Sequence, residues 1–290
     1  MNATPETAHA PPPRPYVLGT GDDELGRLGL QHRLWSDAAH EAWKLARIGP
    51  GQHVLDVGCG PGYASFDLAQ LVTSTGSVLG VDESPAFISW LTSQADARGL
   101  PQLSGLVADA HHLASAVARP AAFDAAYIRW VLCFVKNPAR VIHDTASLLR
   151  PGGRLVIHDY FNYTSMTMAP RRASHDAAVA ATARSWRERG GDPDVMARVP
   201  AMLAEAGLNL THLAIHQRHA RGNPSGPPEA MFAWPDVWWR TYAPKLVAMG
   251  YLAQADCDQL LRDLDAVRTS ATDFIVVPPV YQIIAEKPAR

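Results

Sequence analysis

Cysteine is scarce in this chain. Three occur in 290 residues, Cys59, Cys133 and Cys257, an odd number without C-x-x-C spacing, which leaves no disulfide framework and fits reduced thiols in a reducing compartment. Long apolar runs are also missing. The longest, Ala125 to Val135, is too short to cross a bilayer and contains Arg129, and the N-terminus carries polar and Pro-rich residues where a secretion signal would place an apolar core. The expected location is the cytoplasm, with no membrane partner. Positive charge is not in excess: 26 Lys and Arg against 28 Asp and Glu give a net charge of -2, and no basic cluster exceeds Arg171-Arg172. A nucleic-acid partner therefore has little electrostatic support. No internal repeat is visible.

What is present is a globular composition, 47% hydrophobic and 19% charged, enough to bury a substantial core without a partner. A monomer or homodimer is expected. Residues 1–14, rich in Pro, Ala and Thr with Pro11 to Pro13 in a row, read as a disordered tail. Residues 15–50 read as a helical lid: Leu25, Leu28, Trp35, Ala42 and Leu45 recur at roughly helical spacing, Gly26 and Gly29 weaken the start, and Gly49-Pro50-Gly51 stops the pattern.

The strongest signal follows. Val54-Leu55-Asp56-Val57 is a buried parallel strand that runs into Gly58-Cys59-Gly60-Pro61-Gly62, and Val78-Leu79-Gly80-Val81 is a second strand ending in Asp82. Glycines tolerate positive φ and carry no Cβ, so such a turn lets backbone N–H groups approach a ligand. About one helix and one strand separate Gly62 from Asp82, which places the carboxylate beside the same turn, where it can accept hydrogen bonds from a ribose. The dinucleotide fingerprint G-x-G-x-x-G is not met, because Tyr63 stands where its third glycine belongs. Asp56, inside the strand, offers a partner to a cationic amino group.

The D-x-G-x-G-x-G string at Asp56, Gly58, Gly60 and Gly62 resembles the first motif of class I S-adenosylmethionine-dependent methyltransferases. The resemblance continues in order through Leu106 to Ala110, Phe123 to Leu132, and the Leu148 to Ile157 stretch with its Pro151-Gly152-Gly153 turn, covering roughly residues 50 to 160. It implies that the glycine loop lies against the methionine part and ribose, that Asp82 holds the ribose hydroxyls, and that Asp109 with Ala110 faces the adenine. The stretch Tyr16 to Gly19 with Arg27-Leu28, Gln31 and Trp35 is similar to the segment that folds over the cofactor in bacterial small-molecule methyltransferases, which makes Tyr16 and Gln31 expected contacts. Arg129, a charge in an otherwise apolar strand, needs a partner when buried: the cofactor's carboxylate or a structural ion pair.

The implied fold is α/β, a doubly wound, mostly parallel seven-stranded sheet of Rossmann-like type, with a lid at 15–50, a cofactor core at 51–160, cap helices, sixth strand and insertion at 161–272, and a final strand at 273–290. Helices are expected at Asp176 to Arg189 and Pro193 to Ala206, a strand at Leu208 to His216, and two segments, Phe274 to Val277 and Tyr281 to Ile284, compete for the last strand. The long insertion between these strands carries Phe232, Trp234 and Trp238, expected either to line the acceptor pocket or to pack as an aromatic core stripe. After the fifth strand, His158, Tyr160 and Tyr163 are candidates to orient or deprotonate an acceptor, and alternation puts His158 and Tyr160 on one face. His212, His216 and His219 lack companion ligands, so no metal is expected. The expected activity is methyl transfer from S-adenosylmethionine, yielding S-adenosylhomocysteine, to a small aromatic or heteroaromatic metabolite on C, N or O. The alternatives are a non-catalytic S-adenosylmethionine-binding regulator and a Rossmann NAD(P)-dependent oxidoreductase.

Overall fold

A computed structural model describes residues 21–289; the 1–14 tail and Tyr16 lie outside them. In chain order the elements are α1 (Asp22–Leu45), β1 (His53–Val57), α2 (Tyr63–Val72), β2 (Ser77–Asp82), α3 (Pro85–Ala97), β3 (Leu103–Val107), α4 (Leu113–Val117), β4 (Phe123–Arg129), α5 (Pro138–Leu148), β5 (Leu149–Tyr160), β6 (Thr167–Ala169), α6 (Ala173–Glu188), α7 (Val199–Glu205), β7 (Asn209–His216), β8 (His219–Arg221), α8 (Ala233–Ala248), α9 (Gln254–Arg268), β9 (Phe274–Val276) and β10 (Val280–Glu286). Seven strands form one sheet in the order β3-β2-β1-β4-β5-β10-β7, parallel except for β10, which runs antiparallel to both neighbours. This is the expected doubly wound architecture. No described helix is long and apolar enough to cross a membrane.

Central strands read as continuous apolar runs because both faces are covered. Successive residues of β1 and β4 feed two separate cores, Val54, Ala125 and Tyr127 on one face, Leu55, Ala126 and Ile128 on the other. Helix starts follow local chemistry. Ser84 caps α3 by accepting the Phe87 N–H, Asn137 caps α5 by accepting the Arg140 N–H, and each has proline in its first turn, where a missing N–H costs nothing.

Three elements depart from the sequence reading. Gly26 and Gly29 do not delay α1, which runs through both; a Cβ on Gly29 would lie 2.9 Å from the Tyr63 ring, so the glycine is the condition for α1 and α2 to approach. The helix expected from Pro193 begins only at Val199, after a 3-10 turn at Val195–Ala197, and Pro200 sits in its first turn. Of the two candidates for the last strand, only β10 enters the main sheet. β9 joins β6 and β8 in a separate three-stranded sheet, where Met168, Ile275 and Ala220 pair side by side and are buried. Pro278-Pro279 divides the two segments, since neither residue can donate to a ladder.

In the cap, His175 is fully buried against the Trp239 ring, and neither ring nitrogen finds a partner among the described residues. Burial holds its pKa down to about 4. The unfolded chain thus binds a proton that the folded chain refuses, so this stability is complete above about pH 6.5 and falls away toward pH 4, a loss of ~3 kcal/mol. His175→Phe should flatten that slope in urea unfolding measured at pH 7 and pH 4.5; an unchanged slope would refute the assignment.

Candidate active site

The loop between β1 and α2 is built on three glycines with φ of +66°, +55° and +85° at Gly58, Gly60 and Gly62, a region that side chains with a Cβ enter at a cost. A Cβ on Gly58 would meet Val131 at 2.3 Å and one on Gly62 would meet Leu91 at 2.5 Å, whereas at Gly60 the nearest atom is 4.0 Å away on Leu28. Two of these glycines therefore permit packing of the protein on itself, and Gly60 alone borders open space. The loop is pinned to β2: Gly58 and Cys59 N–H donate to the Val81 carbonyl at 2.7 and 3.0 Å, and Gly60 N–H donates to Asp82 at 2.9 Å. The other Asp82 oxygen accepts the Ser84 N–H. Burial pushes its pKa up, against these two bonds.

Asp56 lies deeper, accepting the Ser65 hydroxyl at 2.6 Å. Burial raises its pKa to about 6, although the Ser65 bond and the nearby Arg129 guanidinium pull the other way. Arg129, at the end of β4, places Nη2 2.9 Å from His32 Nδ1, and its Nη1 is buried with no partner among the described residues. Gln31 accepts from Arg27, which also pairs with Glu24 at 2.7 Å. Asp109 takes the His111 N–H and ring Nδ1, both at 2.8 Å, at the turn that opens with Ala110. Burial raises its pKa, yet the hydrogen bonds from His111 win and hold it below the usual carboxylate value.

Of the nine described residues expected at the cofactor site, eight meet the same cavity of about 510 Å³, and Gly62 sits one residue behind its wall. The cavity opens at the carboxyl ends of the parallel strands, where open α/β sheets place their ligands. It continues into an aromatic lobe formed by Trp130, Phe134, Tyr160 and Trp186, with Phe134 and Trp186 edge to face at 4.7 Å and Trp130 stacked on Tyr160 at 6.1 Å. Trp130 adopts φ of +53°, a strained conformation of the kind that accumulates at functional sites.

Of the remaining candidates, only Tyr160 meets the cavity. His158 does not reach the cavity wall: its Nε2 lies 3.0 Å from Gln282 Oε1, which also meets His216 Nε2 at 2.9 Å, and its Nδ1 lies 3.3 Å from the Tyr127 hydroxyl. An amide oxygen only accepts, so both imidazoles donate to Gln282 and Tyr127 donates to His158. Burial drives the His158 pKa to about 3. Tyr160, expected on the same face, instead packs in the core of the opposite face and reaches the cavity, with the Asp159 carboxylate accepting both its N–H and that of Cys133 at the strand end. Tyr163 stands behind it against Trp186 at 4.9 Å. Phe232, Trp234 and Trp238 are also outside the wall, 0%, 6% and 8% exposed; Trp234 packs on Trp35 and Trp238 on Tyr242 and Trp186. The insertion stacks α8 one layer behind the cavity. Phe134 and Trp186 were not singled out by the sequence, although Phe134 follows a strand at the edge where such sites open.

Residues 48–208, more than half of the chain, match the methyltransferase domain. The chain belongs to this methyltransferase family. Among curated proteins, a 2-phytyl-1,4-naphtoquinone methyltransferase of Synechococcus elongatus is 38% identical over 141 residues, 48% of this chain and 56% of that protein. The aklanonic acid methyltransferase DauC of a Streptomyces is 34% identical over 106 residues, 36% of this chain and 46% of that protein. The chain thus spans about half the length of these relatives. The fold of this chain is similar to that of the [4+2]-cyclase SpnF, with a TM-score of 0.54, 18% identity and coverage of 88% of this chain and 81% of that one. Geranyl diphosphate methyltransferase, solved with GPP and sinefungin, gives 0.53, 16%, 88% and 79%.

Proposed function

We propose that this chain transfers a methyl group from S-adenosylmethionine to a small aromatic or heteroaromatic molecule. The observation that carries the reading is the continuity of one cavity from the glycine loop and its carboxylates to a lobe walled by four aromatic rings. Membership of the methyltransferase family supports the donor, and relatives named for a naphtoquinone and for aklanonic acid support the acceptor class.

The residues fit the cofactor on two counts. The buried, unpartnered Nη1 of Arg129 is a donor awaiting an anion, which the amino-acid carboxylate supplies, and the open space at Gly60 is a cradle that any Cβ would fill. Asp82 would accept the ribose hydroxyls, Asp109 and Ala110 would border the adenine, Asp56 would face the amino group, and Gln31 with the loop glycines would complete the wall. When bound, the sulfonium supplies an already activated methyl group. The protein's own work is then alignment and exclusion of water: the rings of Trp130, Phe134, Tyr160 and Trp186 orient a flat acceptor.

Burial keeps the Tyr160 phenol well above its usual pKa, so it acts as a neutral hydrogen-bond donor that orients the acceptor rather than as a base. His158 and Tyr163, outside the wall, hold no proton of the acceptor in this reading. Tyr160→Phe should lower turnover by about 10–10²-fold, whereas His158→Gln should leave turnover of the folded enzyme within about threefold. The reverse ranking would return the base to His158. The test of the whole reading is a panel of aromatic acceptors incubated with labelled methyl donor, with NMR of any product, beside calorimetric titration with S-adenosylhomocysteine and NADH. Binding of NADH alone would establish the oxidoreductase alternative; binding of S-adenosylhomocysteine without transfer to any acceptor would favour a regulator.

A further inference from the structure

The aromatic lobe is assembled by two segments, the one after β4 and the one after α6, and the same two segments bring cations to it. Lys136 and Arg189 line the cavity beside Phe134 and Trp186. Their placement is built into the backbone. Gly190, at φ of +90°, lets the Lys136 stem lie against it, since a Cβ there would stand 2.9 Å from Lys136 Cγ. The Gly191 N–H closes the end of α6 on the Trp186 carbonyl at 2.9 Å, and the Asp192 N–H donates to the Cys133 carbonyl at 2.9 Å, which ties the two segments together.

Neither cation makes an ion pair among the described residues. The acids nearest in sequence are already engaged: Asp192 by Arg198, Asp194 by Arg187, each at 2.7 Å, and Glu188 by the Tyr251 hydroxyl at 2.9 Å. The carboxylates of the cavity, Asp56, Asp82, Glu83 and Asp109, come from the β1, β2 and β3 ends, and Asp109, whose turn reaches the Lys136 segment through His111 Nε2 and the Asn137 N–H at 3.3 Å, is already paired with His111 at 2.8 Å. Lys136 is exposed at the rim and Arg189 half-buried, so two cations without an ion-pair partner border a ring-lined wall and gain from an anion placed there, and a guanidinium matches the planar fork of a carboxylate.

Resting on the proposed methyl transfer, we propose that the acceptor is an aromatic acid, a planar ring system whose carboxylate is held by Lys136 and Arg189 while Phe134 and Trp186 cover the rings. These two cations are binding residues for the acceptor, distinct from Arg129 at the cofactor.

The probe is 1-hydroxy-2-naphthoate, compared with its uncharged amide, titrated calorimetrically into the full chain saturated with S-adenosylhomocysteine. The acid should bind at least about tenfold more tightly than the amide. In the double variant Lys136→Met and Arg189→Met, which keeps both stems, the preference should fall to about threefold or less, and the charge-preserving pair Lys136→Arg and Arg189→Lys should retain it. Affinity for S-adenosylhomocysteine should stay within about twofold in both variants. Equal binding of acid and amide, no binding of the acid up to about 1 mM, or a preference that survives the double variant would overturn the proposal. So would a variant whose main loss is cofactor affinity, which would assign these cations to the cofactor. Failure of the unaltered protein to bind S-adenosylhomocysteine would instead overturn the methyl-transfer reading, and with it this proposal.

Discussion

Gly60→Val should weaken S-adenosylhomocysteine binding by more than about 10²-fold in a protein that still folds, and Gly62→Val should lower stability by ~2–5 kcal/mol. The two positions differ by two residues and share positive φ, so both variants pay the cost of a β-branched residue in the left-handed region, ~1–2 kcal/mol. What separates them is the direction of the missing Cβ. At Gly60 it points into the cavity, with Leu28 no nearer than 4.0 Å, so the valine takes space that the cofactor needs and nothing the fold needs. At Gly62 it would overlap Leu91 at 2.5 Å, and Leu91 is fully buried; relieving that overlap costs a further ~1–3 kcal/mol. Asp82→Ala offers a milder companion, expected to cost at least about tenfold in affinity through lost charge-assisted bonds. It also removes the acceptor for the Gly60 N–H. Calorimetry and melting temperature on the three variants decide the matter: cofactor affinity preserved in Gly60→Val would remove the glycine loop from the site.

The half of the cavity around the glycine loop, proposed for the cofactor, was legible in the sequence as a cluster because its geometry is local. From Asp56 to Asp82 the determinants are a strand, a turn that only glycine can make, and a strand end, all within one βαβ unit, and Arg129 stands out as a charge in an apolar run. The aromatic half, proposed for the acceptor, depends on pairings distant in the chain. The stripe of Trp234, Trp238 and Tyr242 does share a helix, but helical spacing states that residues lie together, not what they face. Here they face α1 and α6, and Trp186 reaches the cavity from α6 in their place. Alternation failed in the same way at the end of β5: His158 is sealed by Gln282 and His216, contributed by strands more than fifty residues away, while Tyr160 leaves the regular pleat for the opposite core. Likewise, nothing local to Phe274–Val276 reveals that its ladder partners are β6 and β8 rather than the main sheet.

That division between core and wall gives the other large expected effect. Trp234→Ala should destabilise the chain by ~3–5 kcal/mol with acceptor preference unaltered, whereas Phe134→Ala should change acceptor preference at a smaller cost in stability. Trp234 is 6% exposed, packs edge to face on Trp35 at 5.9 Å, and is separated from the cavity by that contact; deleting the indole leaves a void that Trp35 and its neighbours cannot fill without shifting α1 against α8. Trp35 in turn holds Trp130 at 5.8 Å, so the loss reaches the wall only as a loosening that affects all acceptors alike. Phe134 is half-buried and meets the cavity directly, with Trp186 at its edge. Truncating it widens the aromatic lobe where a ring would lie, and a bulkier acceptor should gain over a smaller one as the smaller loses contact area. Denaturant unfolding together with competition between a one-ring and a three-ring acceptor on the same two variants tests both halves. A shift in acceptor preference in Trp234→Ala, at equal fraction folded, would move the insertion back into the acceptor wall.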